Sequence, residues 1–244
     1  MPEWIPYETD DEPALEVSID VDLDGDAAFR AAHPYLVTVT VTGFALEAGG
    51  QPNDTAGEAI FDLEQRAEAA CTARGATPAF TVSGDGRYRL FAYAASDAIV
   101  APLRAALADS AMIVEVSGKR DDAWATYDEY ALRGDDLEDA RDADLIEQML
   151  ESGEDLSREY VVTFEWSMQN EAVVDAAIEA LEKAGFDVPE ELYDDIIPVG
   201  KTMTITPENL EDTRKALGKV LAPFNARYEG WEADIEDEEE EPEL

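Results

Sequence analysis

Phe80-Thr81-Val82-Ser83-Gly84-Asp85-Gly86-Arg87-Tyr88-Arg89-Leu90-Phe91-Ala92-Tyr93 reads as two strands joined by a tight turn. Gly84, Asp85 and Gly86 tolerate the left-handed backbone that such a hairpin turn demands. Working outward, Ala56, Ile60, Leu63, Ala67 and Ala70 recur at helical spacing up to Gly75, behind Thr55-Ala-Gly-Glu58, which has the form of a capping box. On the other side, residues 97–107 read as a second helix and residues 112–116 as a closing strand. Further upstream, Val37, Val39 and Val41 alternate with Thr38, Thr40 and Thr42. Leu15, Val17, Ile19, Val21 and Leu23 alternate in the same way with Glu16, Ser18, Asp20 and Asp22. That period of two marks half-buried strands.

From 119 to 144 the apolar pattern lapses, which predicts a linker. A short helix is expected over 143–150. Tyr160, Val162, Phe164 and Trp166 then alternate with Val161, Thr163 and Glu165, and a helix follows with Val174, Ala177, Ile178 and Leu181 on one face before Gly185. Residues 201–205 read as a strand, while 196–199 are edge-like at best because Pro198 lacks a backbone donor. Thr206 caps a last helix with Pro207 in its first position, a stripe of Leu210, Leu217, Val220 and Leu221, and Pro223 at its end. Residues 228–235 are the expected final strand. The prediction is an α+β protein of two ferredoxin-like α/β sandwich modules, over 1–134 and 135–235, each an antiparallel sheet with helices on one face. Residues 236–244, dominated by the run Glu236-Asp-Glu-Glu-Glu-Glu241, are expected to be a disordered acidic tail.

Charge constrains function more than any motif. With 58 acidic and 17 basic side chains the formal net charge is -41. Such a surface repels bare nucleic acid and anionic lipid, and the chain has no basic run with which to hold a phosphate backbone. A basic protein surface is therefore the favoured partner, with direct nucleic-acid and membrane partners excluded and the oligomeric state open. The rival explanation is adaptation to high salt. No apolar stretch approaches a membrane span, and the single cysteine, Cys71, suits a reducing, cytoplasmic setting.

No catalytic residue, cofactor or metal is expected. The glycine pairs at 49–50 and 84–86 lack the spacing and lysine of a nucleotide cradle. His33 stands alone before Pro34, and Cys71 lies beside an apolar helical stripe with no base supplied. Asp20, Asp22, Asp24 and Asp26 lack the glycine and final glutamate of a calcium loop. An enzyme built on buried carboxylates stays open only because acids are abundant. The partner-binding candidates are Tyr228, Glu229, Trp231 and Glu232, two large rings among acids. The alternative for Trp231 is simple packing on the sheet.

The helix leading into Leu150-Glu-Ser-Gly153-Glu-Asp155, the strand with Tyr160, Val162 and Phe164, Ala184-Gly185-Phe186, and the closing Tyr228-Glu-Gly230-Trp231 resemble the bacterial regulator of ribonuclease E activity B. Members of that family are acidic inhibitors of the endoribonuclease. The resemblance implies a ferredoxin-like second module that acts by protein contact without an active site. The first module, through Trp4, Pro13-Ala14, His33-Pro34 and Asp122-Ala-Trp124-Ala-Thr-Tyr127, resembles family 695 of the domains of unknown function, which implies no activity. The expected function is thus a non-catalytic regulator that inhibits an endoribonuclease such as ribonuclease E. The alternative is a ligand- or peptide-binding module of unknown specificity with a salt-adapted acidic surface.

Overall fold

The computed structural model describes residues 2–10, 12–47, 50–168, 170–189 and 196–234. The acidic tail and the last residue of the expected final strand lie outside them. The chain divides into two compact units, Met1–Asp144 and Leu145–Leu244. Both are α+β with antiparallel sheets.

The first unit runs β1 (Trp4–Glu8), β2 (Glu16–Asp20), α1 (Ala27–Ala32), β3 (Tyr35–Thr42), α2 (Asp54–Thr72), β4 (Thr77–Gly84), β5 (Arg87–Ala94), α3 (Val100–Ala106), β6 (Ile113–Arg120) and α4 (Ala125–Tyr130). Its six strands lie in the order β1-β2-β4-β5-β3-β6. Within it β4-β5-β3-β6, with α2 and α3 as crossovers, is the split strand-helix-strand arrangement expected, and β1-β2 extend the sheet. The cap of α2 is Asn53, whose side chain accepts from the Ala56 amide, and not the Thr55 box.

Two further sequence expectations fail in this unit. The stretch expected to be a linker is folded: Trp124 and Tyr127 have no exposed surface, and α5 (Asp135–Glu151) begins inside it. The chain divides inside that helix, after Asp144. Nor are helices confined to one sheet face. Val37, Val39, Leu90 and Ala92 meet α2 and α3 on one side, whereas Ile19, Phe80, Phe91 and Tyr93 meet Phe29, Trp124 and Tyr127 on the other. The continuous apolar run Leu90-Phe91-Ala92-Tyr93 on β5 needs cover on both faces, because successive side chains point to opposite sides.

The second face is held by a compact polar and aromatic knot. Trp124 takes a left-handed backbone (φ 56°), stacks on Tyr93 with ring centroids 3.6 Å apart, and donates its indole N–H to the carbonyls of Arg30 and His33. Asp121 makes that turn possible. Its carboxylate accepts from the Ala125 and Thr126 amides and the Tyr93 hydroxyl. Burial alone would raise its pKa, but these donors outweigh burial and hold it below the usual carboxylate value. Arg30 lies over the Trp124 and Tyr127 rings and pairs with Asp24 and Asp128, as does Arg133.

The second unit begins within α5 and adds β7 (Glu159–Met168), α6 (Val174–Lys183), β8 (Ile196–Thr204), α7 (Pro207–Leu221) and β9 (Ala226–Ala233), with strand order β8-β7-β9. Thr206 caps α7 through the Asn209 amide and Pro207 follows it, as the sequence predicts. Two strands were expected where β8 is one. Residues 196–204 form a single strand through Pro198, and the unit has three strands among the described residues where four were predicted. The bridge between Asp187 and Gly200 lies beside β8, where the fourth would pair. Pro198 is accommodated because, among the described residues, β8 is bonded to a strand on only one side.

Candidate protein-binding face

Strand β7 builds the site by alternation. Tyr160, Val162, Phe164, Trp166 and Met168 are buried against the helices, which leaves Glu159, Val161, Thr163, Glu165 and Ser167 on the outer face. Val161 is 49% exposed. Register sets Thr163 opposite Gly200 on one side and Glu232 on the other, and Glu165 opposite Pro198 and Gly230. The face therefore has Thr202, Gly200 and Pro198 on the β8 side and Arg227, Glu229 and Glu232 on the β9 side.

The closing Tyr-Glu-Gly-Trp sequence has a specific backbone role. Trp166 pairs with Tyr228 while Glu165 pairs with Gly230, so Glu229 is one residue in excess, a β-bulge. In a regular strand residues three apart face opposite ways. The bulge brings Tyr228 and Trp231 to the same, inner face, and Gly230 adopts φ 135°, a conformation that L side chains rarely take. Trp231 is 9% exposed and belongs to the core; Tyr228 is half-buried beside Trp166, with ring centroids 5.1 Å apart. Of the two sequence readings of Trp231, the structure shows packing on the sheet. Glu229 and Glu232 are exposed, and Glu229 accepts from the Ser167 hydroxyl. The structure thus divides the four candidate residues into two inner rings and two outer acids.

Arg214 was missed by the sequence reading. It is 5% exposed on α7, with its guanidinium 5.9 Å from the Tyr228 ring. The signal was available, since Arg214 falls on the phase of Leu210, Leu217 and Leu221, where an apolar residue is expected.

Elsewhere the candidate groups serve the fold. The Asp20 side chain accepts from the Asp22 amide, Asp22 from the Glu3 amide, Asp26 from the Phe29 amide, and Asp24 binds Arg30 and Arg133. Asp20 is 3% exposed, and burial, opposed by the Asp22 amide hydrogen bond but helped by the Asp22 and Glu3 charges, pushes its pKa up to about 6. His33 stacks on Phe29 and hydrogen-bonds the Phe29 carbonyl. Cys71 is fully buried, which pushes its thiol up to about 11. Burial also raises Glu64 and Glu68 on α2, and neither lines the open clefts of about 520 and 360 Å³ in the first unit. Among the described residues no three His, Cys, Asp or Glu side chains are grouped as metal ligands. No described helix is long and apolar enough to cross a membrane.

The second unit is therefore a small α+β sandwich whose outer sheet face carries Glu165, Glu229 and Glu232. Residues 139–233 match the family described as regulator of ribonuclease activity B. No curated protein matches the chain. One similar solved structure is that of an unknown protein from Galdieria sulphuraria, 13% identical over 83% of this chain and 99% of that one, with a TM-score of 0.21. A likeness that weak bears on neither fold nor function.

Proposed function

We propose that the chain is a non-catalytic regulator that binds an endoribonuclease such as ribonuclease E and lowers RNA cleavage by occupying its basic surface. The observation that carries this reading is the family match over residues 139–233, which spans most of the second unit. The charge supports it. Glu165, Glu229 and Glu232 lie on one sheet face with Arg227 paired to Glu229, so the face keeps an excess of negative charge that a cationic surface neutralises. A nuclease must hold RNA with basic groups, and a chain of net charge -41 is steered to those groups and competes for them.

The inner rings support the docking face from beneath: the bulge at Glu229 sets the outer acids, and Tyr228 and Trp231 fix the bulge to the core. No group on this chain has to transform a substrate. The test is affinity capture of purified ribonuclease E by the full chain over a salt series, with RNA cleavage measured in parallel. Capture and inhibition at low ionic strength that weaken with salt support the reading. Absence of capture at low ionic strength rejects the partner. Capture unchanged by Glu229→Lys with Glu232→Lys rejects the face.

A further inference from the structure

Most arginines here hold a carboxylate: Arg30, Arg66, Arg120, Arg133, Arg141, Arg158 and Arg227 each have one. Among the described residues Arg74, Arg87, Arg89 and Arg104 have none, and of these Arg87 and Arg89 share a strand. They lie two residues apart on β5, so both side chains leave the same face of the sheet, their Cα atoms roughly 7 Å apart. The guanidinium of Arg89 lies 5.9 Å from the Phe91 ring, and its Nε–H is buried with no hydrogen-bond partner. A buried charged donor without an acceptor is costly, and native structures seldom leave one so without a reason.

Both arginines line a cleft of about 360 Å³ with Glu12, Pro13, Leu15, Gly84 and Asp85. Part of its wall is held by hydrogen bonds. The Leu15 amide donates to the Thr9 hydroxyl, and the Thr9 amide donates to the Leu15 carbonyl. Leu15 lies so close to the hairpin that a Cβ on Gly84 would meet its Cδ2 at 2.7 Å. On the far side the Gly86 amide donates to the Gly50 carbonyl. Glu12 and Asp85 share this cleft, yet neither pairs with Arg87 or Arg89. The lining thus carries two guanidinium and two carboxylate groups, and a molecule bearing both charges complements both.

We infer that this cleft of the first unit binds a small zwitterion, with its carboxylate on Arg87 and Arg89 and its ammonium toward Glu12 and Asp85. The class is a free α-amino acid. Guanidinium forks suit a carboxylate, and the volume suits a molecule of that size. The site is independent of the ribonuclease reading.

The experiment is a titration of the isotope-labelled full chain with each of the twenty common amino acids, and with acetate and methylammonium as half-ligands, followed by backbone amide shifts. At least one amino acid is expected to give saturable shifts at Gly84, Gly86, Arg87 and Arg89, about tenfold tighter than either half-ligand. Arg89→Lys keeps the charge and loses the fork, and is expected to weaken binding about tenfold. Arg87→Gln, at an exposed position that leaves the fold intact, tests the same contact if the Arg89 variant unfolds. Absence of saturable shifts with all twenty overturns the proposal, as does acetate binding as tightly as the best amino acid, or affinity unchanged in Arg87→Gln.

Discussion

Gly230 and Gly200 form a matched pair for testing the bulge that shapes the acidic face. Both lie in the sheet of the second unit, and at both an added Cβ would meet nothing within 4 Å. They differ in backbone: Gly230 has φ 135°, whereas Gly200 is outside the left-handed region. Steric overlap therefore plays no part, and Gly230→Ala carries only the backbone cost, about 1–3 kcal/mol. Gly200→Ala removes freedom from the unfolded chain and is expected to stabilise by about 0.4–1 kcal/mol. A 2 kcal/mol loss corresponds to about a 30-fold rise in the opening equilibrium. Amide hydrogen exchange of β7 and β9 in the full chain reads this directly and separates the second unit from the first. Equal protection in the two variants would refute the argument, because the bulge would then not require a glycine. If Gly230→Ala stays folded by relaxing the bulge, Tyr228 and Trp231 can no longer both face inward, and tryptophan fluorescence should shift toward that of an exposed indole.

Reversing charge with Glu229→Lys and Glu232→Lys should slow association with ribonuclease E more than it speeds dissociation, an effect that shrinks in salt and is measurable by surface-based kinetics. Asp20 carries a pH signature in the first unit. Its folded pKa, raised by burial to about 6 from 3.8, lies above the unfolded one, so its contribution is present below the unfolded value and is lost as pH rises through the folded value. Urea unfolding of wild type should gain about 2–3 kcal/mol between pH 7 and pH 4 that Asp20→Asn does not gain, whatever slope the remaining acids add. Trp124→Ala empties a fully buried ring site and two indole hydrogen bonds and should cost about 3–5 kcal/mol, seen as loss of exchange protection in β5. Cys71 should resist thiol reagents in the native chain and react once the first unit opens.

The sequence by itself determined what depends on local periodicity. The alternation at Val37–Val41 and Tyr160–Trp166, the helical stripes behind Ile60 and Leu217, and the cap at Thr206 are each set by neighbours a few residues apart, and each element stands where its spacing puts it. Net charge and the short motifs of the second half were equally local, which is why the family resemblance there was legible. Tertiary structure decided whatever depends on partners distant in the chain. Trp124 and Tyr127 sit among acids that mimic a linker, and only Tyr93, Arg30 and the Asp20 carbonyl show that their stretch is core. The inward turn of both Tyr228 and Trp231 depends on one extra residue in the pairing of β9 with β7, a property of register that no single strand carries. The shared cleft of Arg87, Arg89 and Glu12 likewise exists only once Leu15 lies against the hairpin, because sequence spacing fixes which residues share a face, not which distant residues come to lie beside them.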